Sequence, residues 1–163
     1  MASTGKDLNI DKIQSSCIHR FWHLVCHRSS VPAHGSFFRF RLGCADLFIH
    51  NHGGFLSCYQ NQCPHRGARI VNELSGHTSL QCPYHGWSFQ PGRTSVPRYG
   101  TFNLAVNDPR QAYLHQWQIS EVAGFVFVSS DPAFNVQQQI GQVHSTGSKP
   151  MVRQFTRVIP RSL

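Results

Sequence analysis

Two short segments hold side chains that bind soft and borderline metals: Cys63-Pro64-His65-Arg66-Gly67-Ala68 and Cys82-Pro83-Tyr84-His85-Gly86-Trp87, with 16 residues between His65 and Cys82. Each offers one thiolate and one imidazole. The C-x-H and C-x-x-H spacings present both ligand types from a tight loop, with Pro64 and Pro83 stiffening the turns and Gly67 and Gly86 letting backbone approach closely. Backbone N–H groups in such loops can donate to the sulfurs. Four such donors suit a [2Fe-2S] cluster in which two His replace two Cys on one iron, so Cys63 and Cys82 would take one iron and His65 and His85 the other. A tetrahedral zinc site draws on the same residue types. Zinc-finger spacing favours C-x-x-C and H-x-x-x-H pairs, whereas a duplicated Cys-then-His pattern with Pro after each Cys points to the cluster.

The remaining candidates are weaker. Cys17, Cys26, Cys44 and Cys58 have no partner at ligand spacing and read as inert core thiols. His19, His23 and His27 fall at i, i+4 and i+8 on a possible helix, an arrangement that on a surface helix usually binds nothing. Asp46, His50 and His52 share parity, so on a continuous strand they would line one face; the bland reading is a solvated strand face running into the Gly53-Gly54 turn.

The elements that must position the two segments read as mostly β. A chain of 163 residues is the size of one ordinary domain, and its 13 Gly and 9 Pro imply many turns and few long helices. Leu8, then Ile10, Ile13, Cys17, Phe21 and Leu24 at steps of three or four, predict an amphipathic helix within residues 8–27. From Ser36 the texture changes to short aromatic and β-branched runs: SFFRFRL, ADLFI, GFLSCYQ, SLQC, GWSF, YLHQWQI and GFVFVS. These predict a sandwich or barrel, with a hairpin turn at His52-Gly53-Gly54. Beyond Asp131 there is no acidic residue; NVQQQIGQVHSTGSKP reads as a linker, and MVRQFTRVI alternates like a strand and leads to Arg161.

The balance of 15 basic to 7 acidic residues, net +8, implies an anionic partner. The basic residues are scattered singly and no helix-turn-helix, zinc-finger or RNA-binding signature accompanies them, so nucleic acid is not expected. The opening MASTGKDLNIDKIQ has no apolar core for a signal peptide and no run of about 18 apolar residues occurs, so a cytoplasmic chain off the membrane is expected.

CPHRGA followed by CPYHGW resembles the Rieske domain of the ring-hydroxylating and related Rieske non-haem iron oxygenases, in their terminal-oxygenase α subunits. The similarity extends to Phe21-Trp22-His23-Leu24-Val25, Val31-Pro32, Gly35, Asn61 and Ala123-Gly124-Phe125-Val126-Phe127-Val128, covering residues 8 to 131. It implies a Rieske-type antiparallel β sandwich with a two-loop [2Fe-2S] site and a short N-terminal helix. The organisation it implies is a helical lead-in over 1–30, the Rieske domain over 31–131, and a linker with a basic strand-like tail over 132–163. Where the cytochrome bc type has an extra pair of cysteines this chain has Ala68 and Tyr84, and Trp87 stands where that type has a hydroxyl donor. A potential at the low end of the Rieske range, about −150 mV, is therefore expected.

The same resemblance implies a second iron, a mononuclear Fe(II) held by two His and one carboxylate. Downstream of His85 only His115 and His144 occur, with Asp108, Glu121 and Asp131, and none has the triad spacing. The expectation is an electron-transfer component, a split subunit or an excised domain, that serves a catalytic oxygenase subunit or domain in an oligomer. It would take electrons from a reductase or ferredoxin and support hydroxylation of an organic substrate, with an aromatic one expected. The alternative is a free-standing Rieske ferredoxin. Position in the motif makes His85 the candidate for the electron exit, with Tyr84 and Trp87 either near the interface or packing the loop, and Arg66 paired with a carboxylate beneath the loop or across the contact.

Overall fold

The computed structural model describes residues 19–90, 93–97 and 113–145. The strands are β1 (His23–His27), β2 (Ser36–Leu42), β3 (Ala45–His52), β4 (Phe55–Gln60), β5 (Ser75–His77), β6 (Trp87–Gln90), β7 (Arg93–Pro97), β8 (Gln116–Val122) and β9 (Phe125–Ser129), followed by helix α1 (Val136–Ser145). Seven strands form one antiparallel sheet in the order β1-β9-β8-β4-β3-β2-β5, and β6-β7 form a separate hairpin. The hairpin joining β3 to β4 turns at Gly53 and Gly54, whose φ angles of 70° and 111° lie where a side chain is disfavoured.

Strand alternation divides the interior in two. In β3, Leu47 and Ile49 face a core with Val31, Cys58, Trp117, Val126 and Val128, enclosed as the sheet curls from β3 round to β9. Phe48, one residue out of step, faces the other core, with Phe37, Tyr59, Ile70, Val71, Leu80, Phe89 and Leu114. Cys63, Cys82 and Trp87 belong to this second core. The ligand segments are thus fastened to one face of a sheet whose opposite face is also packed, a rigid base for loops that lack regular structure.

Three expectations change. Within 8–27, residues 8–18 lie outside the described part, His19 and Arg20 are helical, and His23–His27 are strand β1. A register shift between Leu24 and Cys26 breaks the period-two alternation of β1, so alternation does not announce the strand, and Phe21 and Leu24, the last steps of the helical pattern, are exposed. His19, His23 and His27 therefore do not share a helix face. The expected linker contains α1. Its N-terminus is closed by a reciprocal pair, Gln138 N–H donating to Asn135 Oδ1 at 2.8 Å and Asn135 N–H donating to Gln138 Oε1 at 3.0 Å. The helix is tied back to the start of β1 by Gln139, whose side chain accepts from Trp22 N–H and donates to Trp22 O, both at 2.8 Å. The run SLQC forms only an isolated bridge, Gln81 to Ser88, while the short strands β5 and β7 were not signalled by alternation. MVRQFTRVI lies outside the described residues.

Candidate metal centre

The two ligand loops are built alike. In the first, Cys63 N–H donates to Ala68 O at 2.7 Å and Gly67 N–H to Cys63 O at 2.8 Å; in the second, Cys82 N–H donates to Trp87 O at 2.7 Å and Gly86 N–H to Cys82 O at 3.0 Å. Gly67 and Gly86 have φ of 74° and 69°, a left-handed conformation at the same point of each loop that a side chain would strain. This repeated Cys-to-Gly turn is the local reason the sequence spaces its glycines four residues after each cysteine. The second loop is entered through Leu80, a buried non-glycine residue at φ 54°, whose carbonyl accepts from Phe89 N–H at 2.9 Å. Such a conformation persists only where the surroundings hold it.

The first loop is anchored from behind by Asn61. Its Oδ1 accepts from the N–H groups of Ile70 and Val71 at 2.9 and 3.0 Å, and its Nδ2 donates to Val71 O at 2.7 Å. Its backbone N–H donates to Asp46 O at 2.8 Å. The Asp46 carboxylate in turn receives two hydrogen bonds from Arg39, at 2.7 and 2.9 Å, and an ion pair from Arg69 at 3.2 Å. Arg39 also donates to Asn72 O at 2.7 Å. These contacts close the exit of the loop against β2 and β3.

The four candidate ligands fall into two pairs, sorted by kind. Cys63 and Cys82 are 2% and 1% exposed, and their thiols interact directly. Burial pushes the Cys63 thiol up to about 11; backbone N–H groups of His65 and Arg66 pull it down, and the neighbouring Cys82 pushes it further up. Two such thiols side by side are ionised together only when a cation takes the place of their protons. The His65 and His85 rings lie 4.6 Å apart between centroids, edge to face. Both ring nitrogens of His65 are closed off from solvent, and neither has a hydrogen-bond partner among the described residues. Orphaned buried nitrogens of this kind are what a metal ligand looks like without its metal. Among the described residues no three His, Cys, Asp or Glu side chains gather so as to hold a single ion. Donors paired as sulfur with sulfur and nitrogen with nitrogen instead fit the two irons of a mixed-ligand [2Fe-2S] cluster.

The chain contains a Rieske [2Fe-2S] domain. The family model matches residues 21–101. The chain is 26% identical over 145 residues to the N,N-dimethyl phenylurea N-demethylase subunit alpha of Sphingobium sp. strain YBL2, covering 85% of this chain and 32% of that protein. It is 30% identical over 122 residues to the carnitine monooxygenase oxygenase subunit of Escherichia coli K12, covering 73% of this chain and 33% of that one. Its fold matches naphthalene 1,2-dioxygenase from Rhodococcus sp., with a TM-score of 0.70 at 22% identity over 82% of this chain and 32% of that one. The chain spans about a third of the length of the curated relatives it matches.

Around the Rieske site the other expected residues are differently placed. Tyr84 is 69% exposed at the tip of the second loop, its ring 4.3 Å from that of His85. Arg66 is exposed, and the expected carboxylate beneath the first loop is engaged by Arg69, through Asp46, instead. Trp87 is buried at 6% exposure and stacks on His65, with ring planes 2° apart and centroids at 4.9 Å. It points inward because it opens β6, whose alternation sends Trp87 and Phe89 into the core.

Most of the remaining sequence candidates have partners within the protein. Asp46 is taken up by Arg39 and Arg69, so the solvated strand face expected for Asp46, His50 and His52 is instead a packed and hydrogen-bonded one. His50 is 2% exposed, with Nε2 at 3.0 Å from Thr78 O and Nδ1 at 3.2 Å from His52 Nε2. Cys58 is buried as expected, Cys26 is half-buried, Cys44 is exposed in the β2–β3 turn, and Cys17 lies outside the described residues. The anchoring roles of Asn61, Asp46 and Arg39 left no signal in spacing, because Arg39 and Asp46 come from different strands and Asn61 from the bend after β4.

Proposed function

We propose that Cys63 and Cys82 bind one iron of the cluster and His65 and His85 the other, and that the domain passes single electrons to a mononuclear non-haem iron that activates O2 for hydroxylation of an organic substrate. The observation that carries this reading is the sorting of donors by kind, thiol against thiol and imidazole against imidazole, with both His65 nitrogens left without a partner. A cluster so ligated supplies reversible one-electron storage, and with four protein ligands it has no open position for O2. The chain's residues do the rest. Asn61 and the Asp46 network fix the first loop, Leu80 and Phe89 fix the second, and the core beneath keeps water from the sulfurs.

His85, half-buried next to exposed Tyr84, is the residue through which electrons would leave toward a catalytic subunit or domain. Its partners would be that catalytic unit, within an oligomer, and a reductase or ferredoxin as electron donor. The relatives matched include the oxygenase subunits of a carnitine and a glycine betaine monooxygenase, which favours this reading over a free-standing ferredoxin. Because relatives act on a phenylurea and on carnitine, they do not narrow the substrate to aromatics. The described cysteines are all free thiols, in keeping with a cytoplasmic setting. Among the described residues no helix is long and apolar enough to cross a membrane.

The test is direct. Purified chain should contain two irons and two sulfides and give a rhombic EPR signal on reduction. Alanine at Cys63, His65, Cys82 or His85 should each abolish that signal, while Cys44→Ala and Cys58→Ala keep it. Zinc in place of iron, or a signal indifferent to His65 and His85, would overturn the ligand assignment.

A further inference from the structure

A histidine that binds metal through one ring nitrogen is ordinarily oriented by the other, which donates to a carboxylate, a carbonyl or a water. His65 has no such partner among the described residues. What touches it is flat and apolar: the Trp87 indole lies within 2° of its plane at a centroid distance of 4.9 Å, and the His85 ring meets it edge to face at 4.6 Å. Trp87 is itself held firmly. It is 6% exposed, its carbonyl accepts from Cys82 N–H, and it is paired to Pro97 across the β6–β7 hairpin. Through its backbone it belongs to the second loop, and through its ring to the first. The matching position of the first loop is Ala68, too small to do the same for His85.

We propose that Trp87 is a positioning residue for the metal centre: its buried indole, stacked on the His65 imidazole, sets the plane of that ring and shields its face from water. The inference rests on His65 being an iron ligand. Two consequences follow from offset stacking, which resists tilting of either ring. The two histidines are held unequally: the His65 ring lies flat on the buried Trp87 indole, whereas the His85 ring meets an exposed tyrosine. Loss of the indole frees His65 to rotate and lets water in. Reduction takes a cluster with two thiolate and two neutral imidazole ligands from neutral to a single negative charge, and water solvates that charge better than an indole, so the potential rises.

The experiment compares wild type, Trp87→Phe and Trp87→Leu as loaded protein, reading the histidine nitrogen couplings by pulsed EPR, the midpoint potential, and the rate of iron loss to a chelator. Trp87→Phe keeps a stacking ring and should resemble wild type on all three. Trp87→Leu should show one nitrogen coupling broadened or shifted, a higher potential, and iron loss about tenfold faster, the scale on which second-sphere partners act. A Trp87→Leu protein that merely melts earlier, with couplings, potential and iron retention unchanged, would overturn the proposal. If Trp87→Leu does not fold, 5-fluorotryptophan labelling serves, since Trp22 lies against α1 and Trp117 in the other core. The electron-poor indole should shift the same coupling and raise the potential, and no shift overturns the proposal. His65→Ala retaining both nitrogen couplings would instead refute the ligand reading, and this inference with it.

Discussion

Asp46 shows how a single carboxylate far from the cysteines in sequence governs the loop that holds one of them. Burial acts to raise its pKa, but the hydrogen bonds and charge of Arg39, the Asn61 amide and the Arg69 charge together outweigh burial and hold the carboxyl below its usual range. Because the folded value lies below the unfolded one, the stabilisation is present at neutral pH and is lost as pH falls through the folded value. Asp46→Asn should therefore flatten the acid limb of stability below about pH 4, the ordinary carboxylate range. At neutral pH it should cost about 2 kcal/mol, since Arg39 loses a charged partner. Urea melts of both proteins between pH 3 and 7 would show this; parallel curves would not. Asn61→Ala strands the N–H groups of Ile70 and Val71 in the core, and a loss of about 2 to 4 kcal/mol is expected.

At the scale of elements, β3 carries a hydrogen-bonded histidine pair into the core. Thr78 O can only accept, so His50 bears its proton on Nε2, and its Nδ1 accepts from His52 Nε2, which also lies 3.1 Å from the Tyr59 hydroxyl. Burial, then the charge of His50 and of His34, pushes His52 down to about 4. His50 is lowered as well, by burial first, against the Thr78 carbonyl that raises it. For a base whose folded value is depressed, the unfolded chain takes up protons first. Stability is then full above about pH 6.5, the ordinary histidine value, and falls as pH drops toward 4. His52→Gln should lessen that decline while keeping a side chain able to donate to His50. Thermal melts across this range should show a shallower slope; an unchanged slope would mean that other groups govern it.

At the scale of the whole molecule, the two-faced sheet carries an exposed aromatic tip, Tyr84 next to His85, while Arg66 of the first loop is exposed as well. Tyrosine and arginine are over-represented among residues that dominate protein interfaces. Tyr84→Ala should leave the cluster's EPR signal intact and weaken binding of the catalytic partner about tenfold. Binding of the reduced chain to that partner, followed by stopped-flow oxidation, would measure it. The chain by itself should accept electrons but oxidise no substrate, because nothing in its sequence has the spacing of the two-His, one-carboxylate iron site. Product formed in proportion to this chain without a second protein or further domain would refute that expectation.

Much of this was legible in the sequence alone. The ligand loops could be read because a metal site confined to short loops must write its donors, prolines and glycines at fixed local spacings. The strands from Ser36 to Gln60, and those flanking Ala123-Gly124, were legible for the same reason, as local alternation between turns. Helix α1 also had a local sign, Asn135 followed three residues on by Gln138, but its polar composition hid it. Strand β1 was misread because a bulge disturbs its period and only its pairing with β9 makes it a strand. Tertiary structure alone decided that Asp46 serves Arg39 and Arg69, that Asn61 ties down the exit of the first loop, and that the Trp87 ring stacks on His65. Those contacts join residues from different strands and loops, and no local spacing records which faces the folded sheet will bring together.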